Sequence, residues 1–409
     1  PIYHNDPPEH PFAQDATKYA LFCSAIGQYL KSFTEPFLLH LHDWHTPTLL
    51  FLRDLHPRFK HLRGIRTAFT IHNVAIQGNR PIRGPYASVE QWFPELFTET
   101  GWIKAWADPR YPEPNFTPMA VGIRRADMVN TVSPTYAREI LLPSDPANGL
   151  YRGEGLEEEL RVIDRQGILL GILNGCDYTD GRMVPAMPLG ELFELMARES
   201  SGFKGETLPA QIRALQALSP TLLLTSVTRI VEQKIKILLA PTSRGVPAIE
   251  ELLDLLDAVN GAYVVIGSGM EEYEATLAET ARVRTRLLFL HGYSEKIAEA
   301  LYANGTAFMM PSSFEPCGIG QMIAMRDGQP CIAHAVGGLK DTVIDGVNGF
   351  TFSGATLSEQ AEGCVGAVRR AIGMVRNDPE AWRGIVERAR GSRFTWAMSA
   401  RRYSESMYG

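Results

Sequence analysis

Cysteine is scarce in this chain, and its few copies are dispersed. There are five, Cys23, Cys176, Cys317, Cys331 and Cys364, in a chain of 409 residues. None forms a Cys-x-x-Cys pair, and an odd, scattered set argues against both a disulfide framework and a cysteine zinc site. It fits a reducing, cytoplasmic setting. No apolar run approaches the length of a membrane span, and no signal-peptide pattern opens the chain. Neither sign of charge dominates: 40 basic residues face 46 acidic ones, a net charge of −6. That balance gives no reason to expect nucleic acid or an anionic membrane as partner. What remains is a soluble globular composition, 45% hydrophobic and 21% charged, long enough for two domains.

The chain is organised around residues 311–321. An apolar run at 306–310 reads as a short buried strand, then the chain turns at Pro311 and Ser312. It presents Glu315, Pro316 and two glycines, Gly318 and Gly320, and becomes helical at Gln321. Exposed backbone N–H groups at such a turn hold oxyanions or sugar hydroxyls, and glycine permits close approach. Taken alone, the same residues also describe an ordinary turn with a surface glutamate. The next unit repeats the pattern: a strand at 331–333, then Gly337 and Gly338 opening a helix. Two such turns on consecutive parallel strands meet at the carboxyl edge of a sheet, where α/β proteins bind ligands.

In the first half, residues 37–45 lead an apolar strand into His42-Asp43-Trp44-His45, followed by a helix to 55. Residues 67–71 form a strand ending in His72-Asn73. His40, His42, His45 and His56 could suggest a metal, but their spacing matches no zinc motif, and no metal is expected. Residues 79–118, rich in Pro, Trp and Tyr, lack a period and read as a lid or helical insertion. Strands follow at 126–132 and 168–173, the first ending at Ser133-Pro134, an N-cap signal, and the second at Asn174-Gly175.

Residues 178–190 have linker chemistry and mark a boundary. Beyond it, strands at 221–227, 262–266, 286–290, 306–310 and 331–333 alternate with helices, as in a parallel doubly wound sheet. Gly267-Ser268-Gly269 resembles a dinucleotide turn without its third glycine. Arg229 and Lys234 follow the first of these strands, a fork and a point charge suited to a diphosphate or, equally, to a solvated basic face.

Seven of these stretches together resemble the bacterial glycogen synthases and plant starch synthases, retaining glycosyltransferases of family 5. They are His42-Asp43-Trp44-His45, Thr70-Ile71-His72-Asn73, Thr131-Val132-Ser133-Pro134, Gly171-Ile172-Leu173-Asn174-Gly175, Arg229 with Gln233-Lys234, Phe314-Glu315-Pro316-Cys317-Gly318, and Gly337-Gly338-Leu339-Lys340-Asp341-Thr342. The resemblance implies the GT-B fold, α/β with two Rossmann-like doubly wound domains facing a cleft. The expected division is 1–180, 190–390, and a helix at 391–409 returning to the first domain. It implies transfer of glucose from ADP-glucose to the non-reducing end of an α-1,4-glucan, with retention and without a cofactor.

By motif position the resemblance gives Arg229 and Lys234 the diphosphate and sets Glu315 facing the donor sugar. It gives the nucleotide sugar to Cys317, Gly318 and Ile319, and to Gly337 and Gly338. It brings Asp43 and His72 to the sugar from the first domain, Asn174 near it, and Tyr293 onto adenine. Glu315, His72 and Asp43 are the expected catalytic groups. No Asp-x-Asp occurs, so the two cations, and no metal, are expected to hold the diphosphate. Three departures stand out. The family's Lys-x-Gly-Gly-Leu segment is absent, Ile235 stands where the family usually has glycine, and Gly320 where it usually has Thr or Ser. The chain, starting at Pro1, therefore reads as N-terminally incomplete, with slow turnover and a less stable first domain expected. The alternatives are a homologue that binds nucleotide or glucan without turnover, and a transferase using another nucleotide sugar.

Overall fold

A computed structural model describes residues 6–7, 9–179 and 186–409. The chain divides into two compact units, Pro1–Ser144 with Tyr151–Ile172 and Ala400–Gly409, and Asp145–Leu150 with Leu173–Ser399. The division falls at residues 172 and 173, and part of the expected linker, 180–185, lies outside the described residues.

Among the described residues the first unit holds six strands. They are β1 (Leu39–His42), β2 (Thr67–Ile71), β3 (Arg80–Pro81), β4 (Asn115–Phe116), β5 (Met128–Thr131) and β6 (Leu169–Gly171). The main sheet is parallel, in the order β1-β2-β5-β6. Every residue of β2 is buried, which is why its sequence is a continuous apolar and threonine run with no polar alternation. Phe69 and Ile71 pack under the helices Ala13–Tyr29, Thr48–Leu55, Pro118–Arg125 and Glu157–Arg165. Gly122 lets one of those helices sit on the sheet: a Cβ there would lie 2.5 Å from the Phe69 ring. The opposite face, at Ala68 and Ile172, is covered by Met407 and Tyr403 of the C-terminal helix. The aperiodic stretch 79–118 contains the antiparallel pair β3–β4 and short helices at Val89–Trp92 and Ile103–Trp106.

Among the described residues the second unit carries six strands: β7 (Leu222–Val227), β8 (Gly261–Gly267), β9 (Leu287–His291), β10 (Ala307–Met310), β11 (Cys331–His334) and β12 (Gly349–Phe352). The order is β12-β11-β10-β7-β8-β9, all parallel. The chain runs outward from β7 to β9, then returns to β10 and runs outward on the other side. Loops leaving β7 and β10 therefore diverge, and the crevice between them is where open α/β sheets bind ligands. Strand β12 falls beyond the last strand expected from sequence, and it completes this symmetry.

Candidate functional site

The switch point of the second sheet is built by two loops. After β7 the chain runs through Thr228-Arg229-Ile230 into helix Glu232–Leu239. This loop is laced to the one after β8: Thr228 N–H donates to the Ile266 carbonyl (3.0 Å), Ile230 N–H to Ser268 (3.0 Å) and Met270 N–H to Ile230 (2.7 Å). A Cβ at Gly267 would lie 1.8 Å from the Thr228 oxygen, and one at Gly269 2.1 Å from the Ile230 oxygen. The glycines of Gly267-Ser268-Gly269 thus serve this backbone approach, which explains a glycine pair with no third member. Arg229 is exposed at the tip, with no ion-pair partner among the described residues.

Lys234 points from the first turn of that helix to the loop after β10. Its Nζ pairs with the Glu315 carboxylate and reaches Ser312 Oγ at 3.3 Å, while Ser312 Oγ donates to Glu315 at 3.1 Å. The Lys234 and Glu315 side chains are only 13% and 10% exposed, so each is largely desolvated and needs the other. The Gln233 carboxamide donates to the Phe314 carbonyl (2.7 Å), and the Gln233 carbonyl accepts from Ser313 N–H (2.8 Å). Beneath, buried His334 donates from Nδ1 to the Ser312 carbonyl (2.8 Å). Burial pushes His334 down to about 4, so it is a neutral prop.

The loop then leans on Gly337 and Gly338. Gly338 N–H donates to the Glu315 carbonyl at 3.0 Å. A Cβ at Gly337, where φ is +43°, would fall 1.9 Å from that oxygen, and one at Gly338 2.2 Å from the Cys317 oxygen. Two bare glycines are what allow this contact. Cys317 is buried, and burial pushes its thiol up to about 12 although the Asn174 backbone hydrogen-bonds to it. It stays a neutral thiol. Gly318 takes φ +75° and Ile319 is exposed. Tyr293, 66% exposed, follows β9, two strands out from β7 and therefore roughly 10 Å along the same edge.

In the first unit, the register of β1 on β2 sets His42 opposite Thr70, so Asp43 and His72 emerge together at the carboxyl ends. Asp43 adopts φ +50°, and its Oδ1 accepts from His72 N–H (2.7 Å) and Asn73 N–H (3.3 Å). Burial still raises its carboxyl to about 6. The side chain of His72 meets His42 instead, Nε2 to Nδ1 at 3.1 Å. His40 Nε2 lies 2.7 Å from Thr70 Oγ1, which itself donates to Asn130 Oδ1 (2.6 Å). Nε2 therefore carries the proton, and Nδ1 accepts from the Tyr408 hydroxyl (2.7 Å). Burial, then His42 and His72, holds His40 at about 4. Partial burial lowers His42 and His72 as well. His56 lies elsewhere, bonded to Glu95 at 2.7 Å. Among the described residues no three His, Cys, Asp or Glu side chains are grouped to hold a metal.

The second unit thus gathers Lys234, Glu315, Cys317, Gly318, Gly337, Gly338 and Asn174, with Arg229, Ile319 and Tyr293 exposed. The first gathers Asp43 and His72. Sequence reasoning missed Ser312, His334 and the Lys234–Glu315 pairing. Ser312 was within reach, lying three residues before Glu315 in a loop already singled out.

Family models match both halves: the starch synthase catalytic domain over residues 1–162, and glycosyl transferases group 1 over 227–364. The chain is 35% identical over 412 residues to a glycogen synthase of Desulfitobacterium hafniense, covering 96% of this chain and 77% of the relative. To a glycogen synthase of Moorella thermoacetica it is 32% identical, covering 96% and 76%. The catalytic domain of starch synthase IV from Arabidopsis thaliana, solved bound to ADP and acarbose, superposes with a TM-score of 0.70 at 26% identity, over 96% of this chain and 77% of that one. The two parallel sheets are those of a GT-B glycosyltransferase, and the chain belongs to the glycogen and starch synthase family of hexosyltransferases.

Proposed function

We propose that this chain transfers glucose from ADP-glucose to the non-reducing end of an α-1,4-glucan, with retention, in the cytoplasm. The observation that carries this reading is the Lys234–Glu315 pair at the β7/β10 switch point, beside the exposed Arg229. Arg229 and Lys234 take the diphosphate, and Glu315 turns to the donor glucose along with the Gly318 and Ile319 backbone. The transition state is oxocarbenium-like, and charge grows on the departing diphosphate. Two cations there stabilise it more than the ground state, which is what lowers the barrier. Tyr293 lies at a distance from β7 that suits the base of a nucleoside diphosphate, and its exposed ring stacks on adenine. Asp43 and His72 meet the sugar. His72, kept neutral, donates to a hydroxyl and is not needed as a base.

The ADP and acarbose in the Arabidopsis structure support an adenine nucleotide and a glucan-like ligand. No helix among the described residues is long and apolar enough to cross a membrane. The test is incorporation of labelled glucose into glycogen from ADP-glucose and, separately, from UDP-glucose. Transfer from ADP-glucose is expected. Preference for UDP-glucose overturns the donor, and ADP binding without transfer from either overturns the activity.

A further inference from the structure

We propose that Gln321 is a positioning residue that aims the Gly318 and Ile319 N–H groups at the donor, an inference that rests on the reading above. Gln321 is fully buried. Its carboxamide nitrogen lies 3.1 Å from the Cys317 carbonyl, 3.0 Å from the Gly318 carbonyl and 3.2 Å from Thr342 Oγ1. Thr342 Oγ1 in turn donates to the Gly338 carbonyl at 2.7 Å. The same side chain therefore holds two successive carbonyls of the loop and ties them to the helix behind.

A trans peptide is planar, and its C=O and N–H point in opposite directions. The Cys317 carbonyl shares its peptide with Gly318 N–H, and the Gly318 carbonyl shares its own with Ile319 N–H. Drawing both carbonyls inward turns both N–H groups outward, side by side. Neither N–H has a hydrogen-bond acceptor among the described residues. Gly318 at φ +75° followed by Ile319 at φ −118° is the left-then-right sequence in which consecutive N–H groups converge on one point.

The other end of the carboxamide identifies the role. Gln321 Oε1 is buried and has no hydrogen-bond partner among the described residues. It lies beside Gly318, where a Cβ would meet it at 2.5 Å. Rotating the amide by half a turn would set this oxygen against two carbonyls, so the orientation is fixed by the loop. A buried acceptor left unpaired is costly, and here it accompanies the holding of two carbonyls. An apolar residue of the same size would fill the space without it.

The test is Gln321→Met, close in volume and without donors. The expected result is a crystal structure in which the 317–318 peptide has rotated. With it, kcat for transfer from ADP-glucose falls about 100-fold, the cost of losing one such aimed donor. The affinity for ADP, which carries no sugar, stays within about threefold of the parent. Gln321→Glu supplies a second readout. Its carboxylate is repelled by both carbonyls, whereas the protonated acid donates to one, so activity relative to the parent should rise as pH falls. A misfolded variant would show no such recovery. A Gln321→Met structure with both carbonyls still turned inward, or a folded variant with kcat within threefold of the parent, overturns the proposal. If the parent itself fails to transfer from ADP-glucose, the functional reading falls, and the peptide orientation still decides the role of Gln321.

Discussion

Lys234 and Glu315 show what a motif residue gains from its neighbours. Each side chain is about nine-tenths buried, and each neutralises the other. Removing one partner leaves an uncompensated charge, which typically costs about 3–5 kcal/mol, whereas removing both is far milder. Lys234→Ala is therefore expected to lower the stability of the second unit by roughly 3 kcal/mol and transfer by about 10²–10³-fold. Adding Glu315→Ala should recover part of the stability and none of the activity. Urea titration and glucose incorporation on the two single variants and the double variant check this. Additive stability losses would show that the pair is not coupled. The sequence made both residues visible as candidates, because each stands at a strand-to-helix turn. It could not show the contact, which spans 81 positions and is created only when β7 and β10 become neighbours.

At the scale of elements, most of the parallel strands are legible as apolar runs that lead into a turn, and the expected bounds of β2 are its observed ends. Strand β12 was not, because Gly349–Phe352 is four residues long and opens on a glycine, a weak strand signal. The β3–β4 pair was hidden for a similar reason: two-residue strands leave no period. The seat of the Glu315 loop on Gly337 was also invisible, since a glycine in sequence does not say what presses on it. Gly337→Ala makes the contact measurable. The added Cβ meets a positive φ and a backbone oxygen 1.9 Å away, and the oxygen belongs to Glu315 itself. Strain of about 1–2 kcal/mol from the dihedral alone adds to the displacement of the loop. A fall in melting temperature together with weaker ADP binding by calorimetry is expected. Unchanged values for both would mean that the loop has room to retreat.

For the whole molecule, one buried and two half-buried histidines set the response to acid. His40, His45 and His334 are each held at about 4 against an ordinary 6.5, by burial first in every case. Between pH 6.5 and 4 the unfolded chain binds protons at these sites that the folded chain does not, so stability falls as pH falls through that window. Asp43, raised to about 6 from 3.8, acts in the opposite sense between those values, since its folded form takes up the proton first. Three sites outweigh one. His334, at 2% exposure, is the most deeply placed, and its shift corresponds to about 3 kcal/mol across the full window. Melting temperature should therefore drop steadily from pH 7 to pH 4.5, and His334→Gln should flatten part of the slope. A melting temperature that is constant or higher at pH 4.5 would contradict this account.

The C-terminal helix gives the chain a timetable. Tyr403 and Met407 cover one face of the first sheet, and Tyr403 and Tyr408 complete the hydrogen bonds of Asn130 and His40. Residues 173–399, which belong to the other unit, come off the ribosome before them. At about 5–20 residues per second, that interval is on the order of tens of seconds. Throughout it, the strands of the first unit exist without their cover, and His40 without its tyrosine. The unit whose strands are translated first is thus the one whose last element is synthesised last.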